Sequence, residues 1–231
     1  SVGRKIDVIG MDSCAMSTVE VGYEIHQYAS YLVSAEGFEP SAGWPYARIM
    51  EVLKDDPNIT PKTLVKEIVR KFVRYYEDYM LAGVSVDLAA CELSKFNKLG
   101  TAVLKLARAL LGQMPKRKVK ADKLALTDAL IENAVLLAHW RAQSYRFEDY
   151  VDLWDFCDLL SRSLANSAIQ KLCDEVKEAM ENCVVKSCYS GYAFQHSHGL
   201  SIHFPWAGEI SARYRSLSFS TAQEKTKGKA K

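Results

Sequence analysis

The sequence has no strong charge of either sign and no long apolar run, and each absence excludes a class of protein. Thirty Lys and Arg residues stand against 28 Asp and Glu residues, which leaves a net charge of only +2. The lysine-rich tail at 224–231 supplies this excess, so no basic face for nucleic acid is predicted. No apolar stretch reaches the roughly 18 residues of a membrane span, and the first residues lack the pattern of an export signal.

The composition is that of an ordinary folded protein. Of the 231 residues, 48% are hydrophobic and 25% are charged. These values lie near the globular average and exclude a disordered or collagen-like chain. The length is enough for one or two domains with a substantial core.

The six cysteines are spread too widely to predict a disulfide framework. They are Cys14, Cys91, Cys157, Cys173, Cys183 and Cys188. Zinc is an alternative in one segment, because Cys183, Cys188, His196, His198 and His203 could supply ligands. The spacing matches none of the common zinc patterns, so this alternative is weak.

Strand-like and helix-like segments alternate, which predicts an α/β fold with a mostly parallel sheet flanked by helices. Strands are predicted at 5–13, 31–35, 84–90, 184–189 and 199–204, and helices at 15–29, from Pro45, at 61–76, 93–113, 122–145, 148–163 and 166–182. We predict that 1–113 forms the part of a catalytic core that carries the nucleophile, and that 114–121 is a basic loop. The helical layer and closing strands then take 122–205, and 206–231 is an extension with a solvated tail.

The segment with the clearest chemistry is Asp12-Ser-Cys14. Side chains alternate along a strand, so Asp12 and Cys14 are predicted to project to one side at the carboxyl end of the first strand. A thiol at the start of the following helix would meet the partial positive charge of the helix N-terminus, which favours the nucleophilic thiolate. Asp12 would then receive a cation from a ligand, because an unpaired carboxylate in a crevice is costly.

A purely structural interpretation of these two residues carries comparable weight on spacing alone. Free cysteines are often small buried hydrophobes, and Asp is a preferred helix cap. Cys14 would then be a core residue and Asp12 would cap the helix that follows.

Longer motifs favour the chemical interpretation. The run Asp12-x-Cys14-x-Met16-x-x-x-Glu20-x-x-Tyr23-Glu24 is followed by Tyr31-Leu-Val-Ser-Ala-Glu36-x-x-x-Pro40-x-x-Gly43-Trp44-x-Tyr46, and Gly199-Leu-Ser-Ile-x-Phe-Pro205 lies near the far end. Together they resemble the clostripain family of cysteine peptidases. The resemblance implies a caspase-like three-layer α/β sandwich, in which a cysteine at a strand end attacks a peptide carbonyl.

The resemblance also implies site residues. Cys14 matches the nucleophile, and Asp12 matches the acid at the base of a pocket that takes Arg or Lys before the cleaved bond. Trp44 is expected in the pocket wall and Glu36 as a second acid. Ser34 is expected to offer its backbone to the substrate as an edge strand can.

One element of the family pattern is missing from the sequence. The family places its catalytic histidine upstream of the cysteine, whereas His26, His139, His196, His198 and His203 all lie downstream of Cys14. We therefore expect an upstream fragment of the same precursor, separated by internal proteolysis, to supply the histidine and the first strands of the sheet. The alternative is a non-catalytic pseudoenzyme that binds basic peptides.

Cofactor and location follow only from the resemblance. The sequence requires no cofactor and has no EF-hand loop, but the family implies a calcium requirement. The family also implies a bacterial protein that is secreted or exported to the cell envelope. Peptides or proteins with Arg or Lys would be its substrates, without nucleic acid or membrane as a partner.

Overall fold

The computed structural model describes residues 3–114, 126–145, 149–206 and 209–225. The predicted basic loop at 114–121 lies outside these ranges except for its first residue, and the end of the predicted tail lies outside them as well. Across the described helices, no segment is long and apolar enough to span a membrane.

A four-stranded sheet forms the middle of the molecule, with strand order β1-β2-β3-β6. The strands are β1 (Ile6–Gly10), β2 (Ala29–Ser34), β3 (Val86–Glu92) and β6 (Val184–Ser190). Alternate side chains of β2 enter opposite faces, so Leu32 packs into one apolar cluster and Val33 into the other. The sheet therefore separates two hydrophobic cores.

Helices cover both faces of this sheet. One face carries α2 (Tyr46–Asp55) and α3 (Pro61–Tyr76), and the other carries α1 (Val19–Ile25), α4 (Phe96–Gln113), α5 (Leu126–Arg141), α6 (Leu153–Ser163) and α7 (Ser167–Cys183). Two short helices, α8 (Ala212–Ser216) and α9 (Ser218–Lys225), end the described chain. The α/β sandwich of three layers is thus the predicted fold class.

Pairing directions within the sheet differ from the expected parallel majority. β1 pairs parallel with β2, but β2 with β3 and β3 with β6 are antiparallel. The physical reason is the long connection between β2 and β3. It contains α2 and α3, and after a segment of that length β3 can enter the sheet in either direction. Alternation of elements alone does not specify that direction.

The segment predicted as the last strand of the main sheet belongs elsewhere. β7 (Ser201–His203) joins β4 (Ser144–Tyr145) and β5 (Tyr150–Asp152) in a second, three-stranded antiparallel sheet. A bridge from Ser201 to Thr18 ties this small sheet to the start of α1. The 199–204 segment therefore closes the molecule beside the loop that follows β1.

β1 lies at the edge of the described sheet, and only β2 pairs with it. Two of its five residues are partly buried, and Ile6 is 41% exposed. An edge strand with such side chains offers a row of unpaired backbone groups to a further strand.

Candidate active site

β1 ends at Gly10, so Asp12 and Cys14 lie in the loop beyond it rather than within the strand. Ala15, directly after the thiol, has a left-handed backbone with φ of 55°. Such a conformation costs a non-glycine residue about 1 kcal/mol or more. The hydrogen bond from Ala15 N–H to the Gly37 carbonyl (2.9 Å) holds it in place.

The predicted position of Cys14 at a helix N-terminus is wrong. α1 begins only at Val19, and the side chain of Thr18 caps it by accepting from Val21 N–H. The helix therefore does not act directly on the thiol, and Asp12 is not the helix cap either.

The Cys14 sulfur is held by one residue of the opposite loop. It accepts the backbone N–H of Glu39 at 3.2 Å, and the thiol faces the Glu39 carbonyl oxygen at 3.8 Å. Cys14 is partly buried, as is Cys188, whereas the other four cysteines are buried. Cys14 is thus accessible enough to meet a substrate.

The Asp12 carboxylate is anchored by the loop that leads into α2. Its Oδ2 accepts the Trp44 backbone N–H at 3.2 Å and the Tyr46 hydroxyl at 2.8 Å. Gly43, with φ of 68°, turns the chain so closely around the carboxylate that a Cβ there would lie 2.8 Å from Oδ2. The glycine is required both for the turn and for the close approach.

Trp44, expected in the pocket wall, lies beside Asp12, and its part in a pocket stays a prediction. The residue is 7% exposed, and its ring packs edge-on against Phe72 of α3. The indole Nε1 donates to Glu39 Oε1 at 3.2 Å. Trp44 therefore contacts both acids of this loop, Asp12 through its backbone and Glu39 through its ring.

Glu39 is a residue of this loop that the sequence motifs did not single out. Its side chain accepts the Trp44 indole N–H, while its backbone N–H donates to the Cys14 sulfur. Burial, reinforced by the charges of Asp12 and Asp87 and opposed by the bond from Trp44, raises the pKa of Glu39 to about 8. The signal in the sequence was Glu39-Pro40 inside the quoted motif, where this position was left unspecified.

Glu36, the predicted second acid, is not in the crevice. It is fully buried, and its Oε2 accepts the Gly199 N–H at 2.7 Å. Burial together with the charges of Asp152 and Asp87 raises its pKa well above the usual range. Glu36 is therefore an internal tie between the end of β2 and the Gly199 segment.

Ser34, predicted to offer an edge to the substrate, lies inside the sheet. β2 has β1 on one side and β3 on the other, and Ser34 pairs with Ala89. Its residue is fully buried. The pairing of β2 with β1 ends at Val33, so only the β3 side of Ser34 is paired, and a contact between its backbone and a substrate stays a prediction.

None of the five histidines contacts Cys14. His198, in the His-Gly pair of the closing segment, lies 3.2 Å from Asp152 and stacks on Trp154. Burial opposes a charge on His198, but the hydrogen bond and charge of Asp152 outweigh it and raise the pKa of His198. His139 binds the Phe204 carbonyl, and His26 binds the Tyr23 carbonyl.

The zinc alternative does not survive the geometry. Within the described ranges, no three His, Cys, Asp or Glu residues are grouped so as to hold a metal ion. Cys183, for example, is buried at the end of α7 and takes part in the core around that helix. Calcium also takes backbone carbonyls and water as ligands, so this finding does not test the calcium requirement that the family resemblance implies.

The sequence profile of the clostripain family matches residues 1–220 of the chain. The fold is a caspase-like α/β fold, and the chain belongs to the clostripain family of cysteine proteases. No sequence among the curated proteins matches it.

Solved structures share the fold at low sequence identity. A cysteine protease of B. fragilis matches with a TM-score of 0.64 and 19% identity, over 96% of this chain and 88% of that one. A clostripain from Bacteroides thetaiotaomicron in complex with a peptide inhibitor matches with a TM-score of 0.67 and 18% identity, over 96% and 88%. An inactive zymogen of a C11 protease from Parabacteroides distasonis matches with a TM-score of 0.61 and 19% identity, over 95% of this chain and 59% of the zymogen.

Proposed function

We propose that this clostripain-family cysteine protease is an endopeptidase that cleaves after Arg or Lys, with Cys14 as nucleophile. The observation that carries the proposal is the anchored Asp12 carboxylate in the same loop as a partly exposed thiol. Among the described residues, no Lys or Arg forms an ion pair with Asp12. A carboxylate held by neutral donors can accept a cationic side chain of a substrate.

In the proposed reaction the Cys14 thiolate attacks the backbone carbonyl carbon of the basic residue. The amine leaves with a proton, an acyl-enzyme forms, and water hydrolyses it. The backbone N–H of Cys14 has no acceptor among the described residues, so it can donate to the oxyanion, whereas the Ala15 N–H is already bound to Gly37. Removal of one such donor typically costs about 3 kcal/mol of transition-state stabilisation.

The proton-transferring histidine is proposed to come from an upstream segment of the precursor, after internal cleavage. Two features support this assignment: no histidine of the chain contacts Cys14, and the β1 edge that leads to Cys14 has room for a further strand. The P. distasonis relative is described as an inactive zymogen, which is the state expected before such processing.

The basic specificity and the location are supported by relatives. The inhibitor bound to the B. thetaiotaomicron clostripain contains the peptide VLTK, which ends in lysine. A second relative from that organism is described as a secreted C11 cysteine protease. We propose that this chain is likewise exported.

The experiment is hydrolysis of fluorogenic peptides that carry Arg, Lys, Asp or Leu before the reporter. The full wild-type precursor is compared with its Cys14→Ala and Asp12→Asn variants. The variant precursors are first cleaved into two chains by the wild-type protein. We expect cleavage after Arg and Lys that is abolished by Cys14→Ala. Asp12→Asn should lower kcat/KM for basic peptides by about a hundredfold or more, as expected for loss of a charge-assisted contact of about 3 kcal/mol.

The competing function is that of a pseudoenzyme that only binds basic peptides, and the lack of a histidine beside Cys14 favours it. The same assay separates the two. Binding of the Arg peptide without thiol-dependent cleavage by a folded, two-chain preparation would select the pseudoenzyme.

A further inference from the structure

The loop that carries Cys14 is bound to one short segment of the chain. This nucleophile loop, residues 11–18, connects β1 to α1. The three N–H groups that follow Cys14 all donate to carbonyls at 35–37: Ala15 to Gly37 at 2.9 Å, Met16 to Ala35 at 3.0 Å and Ser17 to Ala35 at 2.8 Å. The position of Cys14 therefore depends on where these two carbonyls point.

Asp87 of β3 holds the 35–37 segment through two hydrogen bonds. Its Oδ2 accepts the Glu36 N–H at 2.7 Å, and its Oδ1 accepts the Gly37 N–H at 2.9 Å. The ladder between β2 and β3 ends where Ser34 pairs with Ala89, and the same register places Asp87 beside Glu36. The Asp87 side chain thus replaces the backbone ladder at the point where the chain leaves the sheet.

This arrangement requires a carboxylate. Two N–H donors that converge on one side chain need two acceptor oxygens, which Asp has and Asn lacks. Asp87 is 1% exposed, and in the part of the chain that the structure describes no Lys or Arg forms an ion pair with it. A buried carboxylate without a cation is costly, and here two backbone N–H groups offset that cost.

The Gly37 peptide is tightly enclosed. A Cβ at Gly37 would lie 2.4 Å from the Phe194 ring and 2.8 Å from Asp87 Oδ1. A shift of this peptide would move its carbonyl, and with it the N–H of Ala15. Since Ala15 has a left-handed backbone with φ of 55°, it keeps this conformation only where its surroundings enforce it. The nucleophile loop would therefore relax if the Gly37 peptide were released.

We propose that Asp87 is a positioning residue for the nucleophile: by fixing the peptides at 36–37, it holds Cys14 in the geometry for attack. The same segment leads two residues further to Glu39, whose N–H donates to the Cys14 sulfur at 3.2 Å. The inference rests on the proposed function, in which Cys14 is the nucleophile. It adds to that function a buried residue that acts through the backbone.

The first test is the kinetics of Asp87→Asn toward an arginine peptide. The variant precursor is cleaved into two chains by the wild-type protein, which is then removed. The assay is run at pH 7.5, where Asp87 is ionised in the wild type because its pKa is about 6. Asn has nearly the size of Asp, but its NH2 group would face one of the two N–H donors.

We expect kcat to fall by about tenfold to a hundredfold with little change in KM, because a displacement of about 1 Å near the reacting atoms can cost about a hundredfold in rate. The inhibition constant of the matching arginine aldehyde should rise by a similar factor. Such an aldehyde forms a tetrahedral adduct with the thiol and therefore reports stabilisation of the transition state.

The matched control is Asp155→Asn. Asp155 of α6 is a half-buried acid that also accepts a backbone N–H, from Gln143 at 2.8 Å, but it does not contact the 35–37 segment. Its variant should keep the wild-type kcat, and denaturant titration checks that both variants are folded in the assay. Wild-type kinetics in Asp87→Asn, or an equal loss in Asp155→Asn, would overturn the inference and leave the peptidase intact. No thiol-dependent cleavage by the wild type would contradict the proposed function instead.

Hydrogen exchange tests the inference without catalysis. Exchange of the N–H groups at 15–17 is followed by mass spectrometry in the wild type and both variants. We expect Asp87→Asn to speed this exchange by about tenfold or more, and Asp155→Asn to leave it unchanged. Equal protection in Asp87→Asn and the wild type would overturn the inference whether or not the protein cleaves peptides.

Discussion

Gly43→Ala is the change that most sharply separates backbone strain from damage to the pocket. A Cβ at Gly43 would lie 2.8 Å from Asp12 Oδ2, whereas an ordinary contact begins near 3.4 Å. Asp12 must therefore move by about 0.6 Å. Because a displacement of about 1 Å can cost about a hundredfold in rate, we expect roughly a tenfold loss of kcat/KM for an arginine peptide.

The chain contains a matched control for the strain. Gly83 also has a left-handed backbone, with φ of 82°, but a Cβ there would meet nothing within 4 Å. Both Gly→Ala changes should lower the free energy of unfolding by about 1–2 kcal/mol, measured by denaturant titration. Only Gly43→Ala should lose activity toward arginine peptides. Equal activities of the two variants would refute the assigned contact between the Gly43 turn and Asp12.

Three further predictions concern the body of the molecule. Gly22→Ala would place a Cβ 2.0 Å from the Phe96 ring, so we expect the free energy of unfolding to fall by about 1–3 kcal/mol in a denaturant titration. The control is Gly112→Ala, where a Cβ would meet open space, and it should be neutral or stabilising by up to about 1 kcal/mol. The buried Glu36 carboxyl accepts the Gly199 N–H, and Gln keeps an acceptor oxygen of the same shape, so Glu36→Gln should change stability by less than about 1 kcal/mol. Glu36→Ala should cost about 2–4 kcal/mol in the same assay. Burial raises the pKa of Asp87 to about 6, so between pH 5 and pH 6 the folded protein keeps a proton on Asp87 that the unfolded chain has already lost. The free energy of unfolding should therefore fall by about 1 kcal/mol between pH 5 and pH 7. Asp87→Asn should remove this part of the pH dependence.

The sequence predicted that Asp12 and Cys14 lie together because side chains alternate along a strand, but the structure brings them together in a different way. Strand alternation does not apply to them, because β1 stops at Gly10. They share a crevice because the loop through Glu39 and Trp44 folds over both. The motif predicted the pair, but the contacts that hold the two residues span 25 or more residues of sequence and follow from the closure of the loop.

The error at Glu36 has a physical cause of the same kind. Whether a glutamate near a strand end is buried or reaches the surface depends on how the following loop turns. The motif contains both Glu36 and Glu39, but only the folded loop shows that Glu36 is bound internally to Gly199, whereas Glu39 contacts Trp44.

The central claim, that Cys14 is the nucleophile of a pocket for basic residues, is tested most directly by covalent labelling. The matured protein is treated with an arginine peptide that carries a thiol-reactive ketone, and mass spectrometry locates the adduct. The account predicts one adduct, on Cys14, formed much more slowly in Asp12→Asn and with the leucine peptide of the same design. An adduct on Cys188, the other partly buried cysteine, or labelling rates that do not depend on the basic residue, would contradict it.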